Sequence, residues 1–211
     1  MTNLYSPTRL RESAAVSGLL LVVFVIVHLL GLIPALMLPE AFERYAAMLH
    51  NARWTPVIEI GVVISALVHI TTTILKYLNN QSAGNHASLT SRRAAPIAAF
   101  ASRTKAFAGI IILGFLIIHI SQLRFTRPSD GFELAALQQI LTQPLYLVIY
   151  ISGSLAIALH LLHGAEAAHR SLGWLHPGNS KVLHQVGRVL ASLIGGGFIL
   201  ISLAIALGSA A

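Results

Sequence analysis

The sequence predicts an all-α integral membrane protein, a bundle of five transmembrane helices with its N-terminus in the cytoplasm. Three observations carry that prediction. Hydrophobic residues make up 55% of the 211 residues and charged residues only 10%, against about 25% charged in a soluble domain. The charges that exist are clustered, leaving long uncharged stretches, each of about the 20 residues that a bilayer requires. Basic residues are divided unequally between the loops that those stretches define, which sets orientation.

The first span is predicted at 13–36. It follows a polar opening with Arg9, Arg11 and Glu12. Its apolar run is too long for a signal core and no small-residue cleavage site follows, so it reads as a retained helix. Pro34 in its last turn places the end a few residues earlier. The second span, 56–78, opens on Pro56, a position that a helix start tolerates. The stretch from Asn79 to Ala95 is rich in Asn, Ser, Gly and Ala and reads as a loop. The third span covers 105–123. The fourth, 144–166, opens on Pro144, and the fifth covers 183–207. Pro39, Pro128 and Pro177 fall in loops or at ends, where proline does least harm. The whole chain, 1–211, is one domain.

Ten of the 14 lysines and arginines lie on the side that carries the N-terminus, the II–III loop and the IV–V loop. Arg44, Arg53, Arg124 and Arg127 lie on the other side, offset by Glu40, Glu43, Asp130 and Glu133. The positive-inside bias places the first side in the cytoplasm. It also accounts for the net charge of +7 without nucleic acid as a partner. The chain has no cysteine, so thiolate zinc sites, iron–sulfur clusters, thioether-attached haem and a thiol nucleophile are excluded within it. It also lacks the glycine fingerprint of a dinucleotide-binding loop.

Histidine is abundant, with 10 residues. His28, His69, His119, His160 and His163 fall inside spans, where ionisable groups are costly and by default mark function. At 1.5 Å per residue, His28 lies about 22 Å and His119 about 21 Å from the cytoplasmic side. Helices II and IV run the other way, with His69 about 20 Å and His160 about 24 Å from the outer side. The four therefore form two pairs at two levels. Paired neutral imidazoles on facing helices suit the two axial positions of a haem iron. With both positions filled, electron transfer is the natural role. A non-haem metal would draw carboxylates into the cluster, yet only Glu59 and Glu166 lie in or near spans. His163, three residues after His160, faces the same side of helix IV but sits about 28 Å from the outer side, so depth favours His160 with His163 as the alternative.

The stretches SGLLLVVFVIVHLLG (17–31), IEIGVVISALVHI (58–70), ASRTKAFAGIIILGFLIIH (101–119) and PLYLVIYISGSLAIALHLLHG (144–164) together resemble the cytochrome b membrane-anchor subunit of succinate dehydrogenase and fumarate reductase, of the five-helix, two-haem type. The resemblance covers most of the chain, including span count and histidine order. It implies an outer haem b on His28 and His119 and an inner haem b on His69 and His160. It implies electrons arriving from a flavoprotein subunit with FAD and an iron–sulfur subunit, and leaving to a quinone, commonly menaquinone in two-haem members. This chain would not act on succinate itself. The resemblance further implies the inner membrane of a prokaryote, and allows a higher oligomer of the complex. After Gly164 the sequence reads AEAAHRSLGW (165–174), where the family's pattern continues with aromatic residues.

Secondary candidates are weaker. Ser102 and Arg103 are placed to meet haem propionates, as is His163; Arg103 reads equally as a positive-inside anchor. Glu59, in the outer half of helix II, is a candidate for proton exchange with a quinone, or a carboxylate hydrated near the headgroups. Tyr45, Trp54 and Trp174 read as interface anchors. Gly195, Gly196 and Gly197 allow close helix contact or room for a ring. Competing functions are a cytochrome b anchor of a hydrogenase or formate dehydrogenase, and a transporter using intramembrane histidines; the lack of inverted repeats and broken helices weighs against the latter.

Overall fold

In the computed structural model, residues 6–82 and 96–208 are described, with the backbone alone at 96–99, 101 and 102. Among the described residues the chain is all-helical: α1 (Pro7–Leu32), α2 (Pro34–Met37), α3 (Pro39–Asn51), α4 (Thr55–Ser82), α5 (Pro96–Ile120), α6 (Glu133–Leu141), α7 (Pro144–Ser171) and α8 (Ser180–Ala206), with a π-helical turn over Ser121–Phe125 after α5. Five helices are long and apolar enough to cross a membrane.

The helix ends follow local chemistry. α1 begins earlier than the predicted residue 13, because Ser6 Oγ accepts a bond from the Arg9 amide at 3.3 Å and Pro7 occupies the first helical turn. It stops at Leu32 and not at 36, because Pro34 opens a separate short helix. α4 and α7 extend past their predicted ends, to Ser82 and Ser171. α5 starts at Pro96, ahead of the predicted 105, and the fifth span runs Ser180–Ala206 against the predicted 183–207. Of the predicted loop at 79–95, residues 79–82 are helical, and 83–95 lie outside the described residues.

Two connections read as loops are in fact helices. α3 turns Phe42 and Ala46 inward and leaves Glu40 and Arg44 outside, 3.5 Å apart. α6 buries Leu134, Leu137 and Leu141. With Ala35, Tyr150, Ile201 and Ile205 they form a cluster that closes one end of the bundle. Glu43 caps α6, its carboxylate oxygens accepting from the amides of Glu133 and Leu134 at 3.1 and 2.9 Å.

α7 and α8 form the most extensive helix contact, and α1 packs on both. Small residues allow this: a Cβ at Gly195 would lie 2.6 Å from Ala158 Cβ and 3.1 Å from Ser154 O. α1, α7 and α8 thus make a central platform. α4 rests mainly on α1, and α5 on α7. No residue of α4 is fully buried. Exposed leucines, isoleucines and valines ring the spans, as a hydrocarbon environment requires.

Candidate haem-ligating histidine pairs

The four helices α1, α4, α5 and α7 bring the span histidines together two by two. His28 of α1 and His119 of α5 have ring centroids 5.9 Å apart, at 80° between planes. His69 of α4 and His160 of α7 have centroids 6.0 Å apart, at 75°. Both pairs cross diagonals of the four-helix arrangement, since α1 packs on α4 and α5 packs on α7. Each pair takes one ring from the platform and one from a peripheral helix.

Neighbouring groups set the orientation of the peripheral rings. His69 Nδ1 donates to the carbonyl oxygen of Ala14 at 3.0 Å. His119 Nδ1 donates to the Tyr150 hydroxyl at 3.3 Å, which in turn donates to Gln122 Oε1 at 3.3 Å. A proton held on Nδ1 leaves Nε2 as the metal-binding atom. The walls are tight: a Cβ at Gly18 would lie 3.0 Å from His69 Cε1. Phe24 stacks on His28 at 5.7 Å and Phe198 approaches it at 5.9 Å. Phe115 stacks on His119 at 5.3 Å and meets Tyr150 edge-on.

The donor set, two facing imidazoles at each level, is one that could hold a haem iron. Two nitrogens bound to one metal at about 2.0–2.1 Å each hold their rings about 6 Å apart, the spacing of both pairs. Imidazole is the donor in each pair, and the intervening walls are apolar or aromatic.

The remaining candidates are dispersed. His163 lies on the wall of a cavity at the N-terminal end of the bundle, together with Arg11, Lys76 and Arg170. Arg103 is exposed on α5, and the side chain of Ser102 lies outside the described residues. Glu59 is held in a two-point ion pair by Arg124, Nε to Oε1 at 2.8 Å and Nη2 to Oε2 at 2.9 Å, tying α4 to the π turn after α5. Trp174 packs edge-on against His169 at 5.8 Å. Gly197 faces Leu29, while Gly196 faces open space.

Sequence reasoning did not single out Ala14, Gly18 or Tyr150. Tyr150 carried a signal: it is a polar aromatic inside a span, on the helix that supplies His160. The Ala14 carbonyl carried none, because backbone oxygens are invisible to residue-type patterns.

Around the other end, His50, Asp130 and Glu133 bring a nitrogen and two carboxylates within 4.8 Å of one another. Arg127 lies among them, paired with Asp130 and 3.5 Å from Glu133. Comparison with protein-family models, curated proteins and solved structures finds no match to this chain.

Proposed function

We propose that this chain is a dihaem cytochrome b membrane anchor, the subunit of a succinate:quinone oxidoreductase that carries electrons from an iron–sulfur subunit to a quinone, menaquinone above others. The observation that carries the reading is the double pairing: four histidines from four successive spans meet two by two at near-identical separations of 5.9 and 6.0 Å. Packing alone gives no reason for two such pairs on the two diagonals.

His28 and His119 would hold the haem b nearer the outer side, and His69 and His160 the one nearer the cytoplasm. Haem b supplies one-electron redox chemistry at such a site. The chain's own contribution is binding, orientation and electrostatics. The two imidazoles of each pair would hold the haem from both sides, which suits electron transfer. The Ala14 carbonyl and the Tyr150 hydroxyl fix the ring tautomers. Phe24, Phe115 and Phe198 keep water from the histidines of the outer pair. The N-terminal, basic side faces the cytoplasm in this reading, and there the FAD-containing flavoprotein and iron–sulfur subunits dock. The quinone site lies at the opposite side, near Glu59. Outward electron movement across a negative-inside membrane is favoured by about 2.3 kcal/mol per 100 mV, which suits a low-potential quinone as acceptor.

Pyridine haemochrome analysis of the purified chain tests the core of the reading, with two haems b per polypeptide as the expected result. One haem or none overturns it. Reduction of the native complex by succinate, and not by hydrogen or formate, tests the choice of partner; the reverse pattern would assign the chain to a hydrogenase or formate dehydrogenase.

A further inference from the structure

We propose that the cavity at the N-terminal end of the bundle binds the phosphate headgroup of an anionic phospholipid. This inference stands apart from the haem reading and does not depend on it. The cavity has a volume of 270 Å³ and lies between α1, α4 and α7. Arg11, Lys76 and Arg170, one from each helix, line it, together with the hydroxyls of Thr8 and Ser171 and the ring of His163. Lys105 of α5 lies within electrostatic reach of Lys76, as does Arg11. Arg170 is paired with Glu166, but Arg11, Lys76 and Lys105 make no ion pair among the described residues. Like charges gathered by separate helices repel one another, and an anion among them removes that cost.

Depth selects the anion. Thr8 and Arg11 lie in the first turns of α1, and Ser171 is the last residue of α7. The cavity is therefore at the end of the spans, where lipid phosphates sit, and neither His69 nor His160 lines it. The outward face of α4 at the level of Lys76 is apolar, with Ile74, Tyr77 and Leu78 all more than half exposed, and offers a surface to acyl chains. Basic pockets between transmembrane helices at this level are suited to acidic headgroups.

The test is thermal unfolding of the full chain in detergent, with diphosphatidylglycerol, phosphatidylcholine or inorganic phosphate added at equal phosphorus concentration. Diphosphatidylglycerol is expected to raise the midpoint by about 5 °C at a hundredfold excess over its dissociation constant, and the other two are not. R11Q/K76Q should lose the shift with haem content unchanged, and K76R should keep it. In the unaltered protein, diphosphatidylglycerol should also protect Lys76, and not Lys181, from acetylation, a readout that requires no variant to fold. Equal shifts from phosphatidylcholine or from phosphate alone would overturn the proposal. So would unprotected Lys76, or an R11Q/K76Q protein that loses haem while keeping the lipid response, which would assign the cations to haem carboxylates.

Discussion

His69 Nδ1 lies 3.0 Å from the carbonyl oxygen of Ala14, so the backbone of α1 decides which nitrogen of the α4 imidazole is left for a ligand. The same turn of α1 crowds that ring, through Gly18. Gly18→Val should push His69 off its bond without touching His28 or His119. The expected outcome is one haem per chain in pyridine haemochrome analysis, with the remaining spectrum that of the outer site. Two haems retained at full occupancy would show that the contact does not position the ring.

His160 and His163 separate cleanly as variants. His160→Ala should remove the inner haem, because its ring is the one against His69 at 6.0 Å. His163→Ala should leave both haems, because His163 lines the basic cavity. Low-temperature absorption spectra of the two variants check this, and the opposite pattern would exchange the roles.

Tyr150 is buried, and its hydroxyl joins His119 to Gln122. Tyr150→Phe keeps the ring but strands both partners, which costs about 1–3 kcal/mol. The expected result is a lower thermal midpoint and a shifted potential at the outer haem, with the inner potential unchanged, read by redox titration. Equal shifts at both haems would point to a global effect.

Gly195 allows α7 and α8 their contact. Its absent Cβ would meet the Ser154 carbonyl, which is backbone and cannot turn aside. Gly195→Val should destabilise the bundle by about 1–3 kcal/mol, whereas Gly196→Val, facing open space, should have little effect. Unfolding in denaturing detergent compares the two; similar losses would refute the contact as the cause.

The network at the α3–α6 end titrates. Burial first, then the Arg127 charge, holds His50 below its ordinary value. Burial, then a hydrogen bond shared with Glu133, raises Glu43. For Glu133 burial acts upward, but the bonds with Glu43 and from the Glu133 and Gly131 amides outweigh it and hold the group low. Because the folded state keeps His50 neutral, stability falls as pH drops below about 6.5, where the unfolded imidazole takes up its proton first. Glu133 contributes above the unfolded carboxylate value of about 4.3 and loses its share as pH falls through its lowered folded value. Glu43 has the opposite sign, its contribution being present below about 4.3 and lost as pH rises through its raised folded value. Within this network His50 is the group that acts between pH 7.5 and 5.5, and His50→Gln should lessen the decline in thermal midpoint. An identical decline in both proteins would exclude His50.

The five spans were legible because a bilayer imposes length and apolarity on sequence directly. The pairing of His28 with His119 and of His69 with His160 was legible as depth, since helical rise is uniform. Helix ends were less so: Ser6 and Pro7 begin α1 ahead of its apolar run, in residues whose polarity reads as loop. α3 and α6 carried a helical spacing of apolar residues, at Phe42 and Ala46 and at Leu134, Leu137 and Leu141, but each is too short to span a membrane. The ion pair between Glu59 and Arg124 joins residues from different helices, and no local pattern encodes it.

The division into platform and periphery bears on how the protein is built. α1, α7 and α8 are held to one another by close packing, whereas α4 rests mainly on α1 and buries no residue fully. The two histidines on the looser helices, His69 and His119, are also the two whose rings are steered by bonds to the platform. Each peripheral helix thus meets the platform through the ring of its own histidine, so both imidazole pairs depend on how α4 and α5 seat.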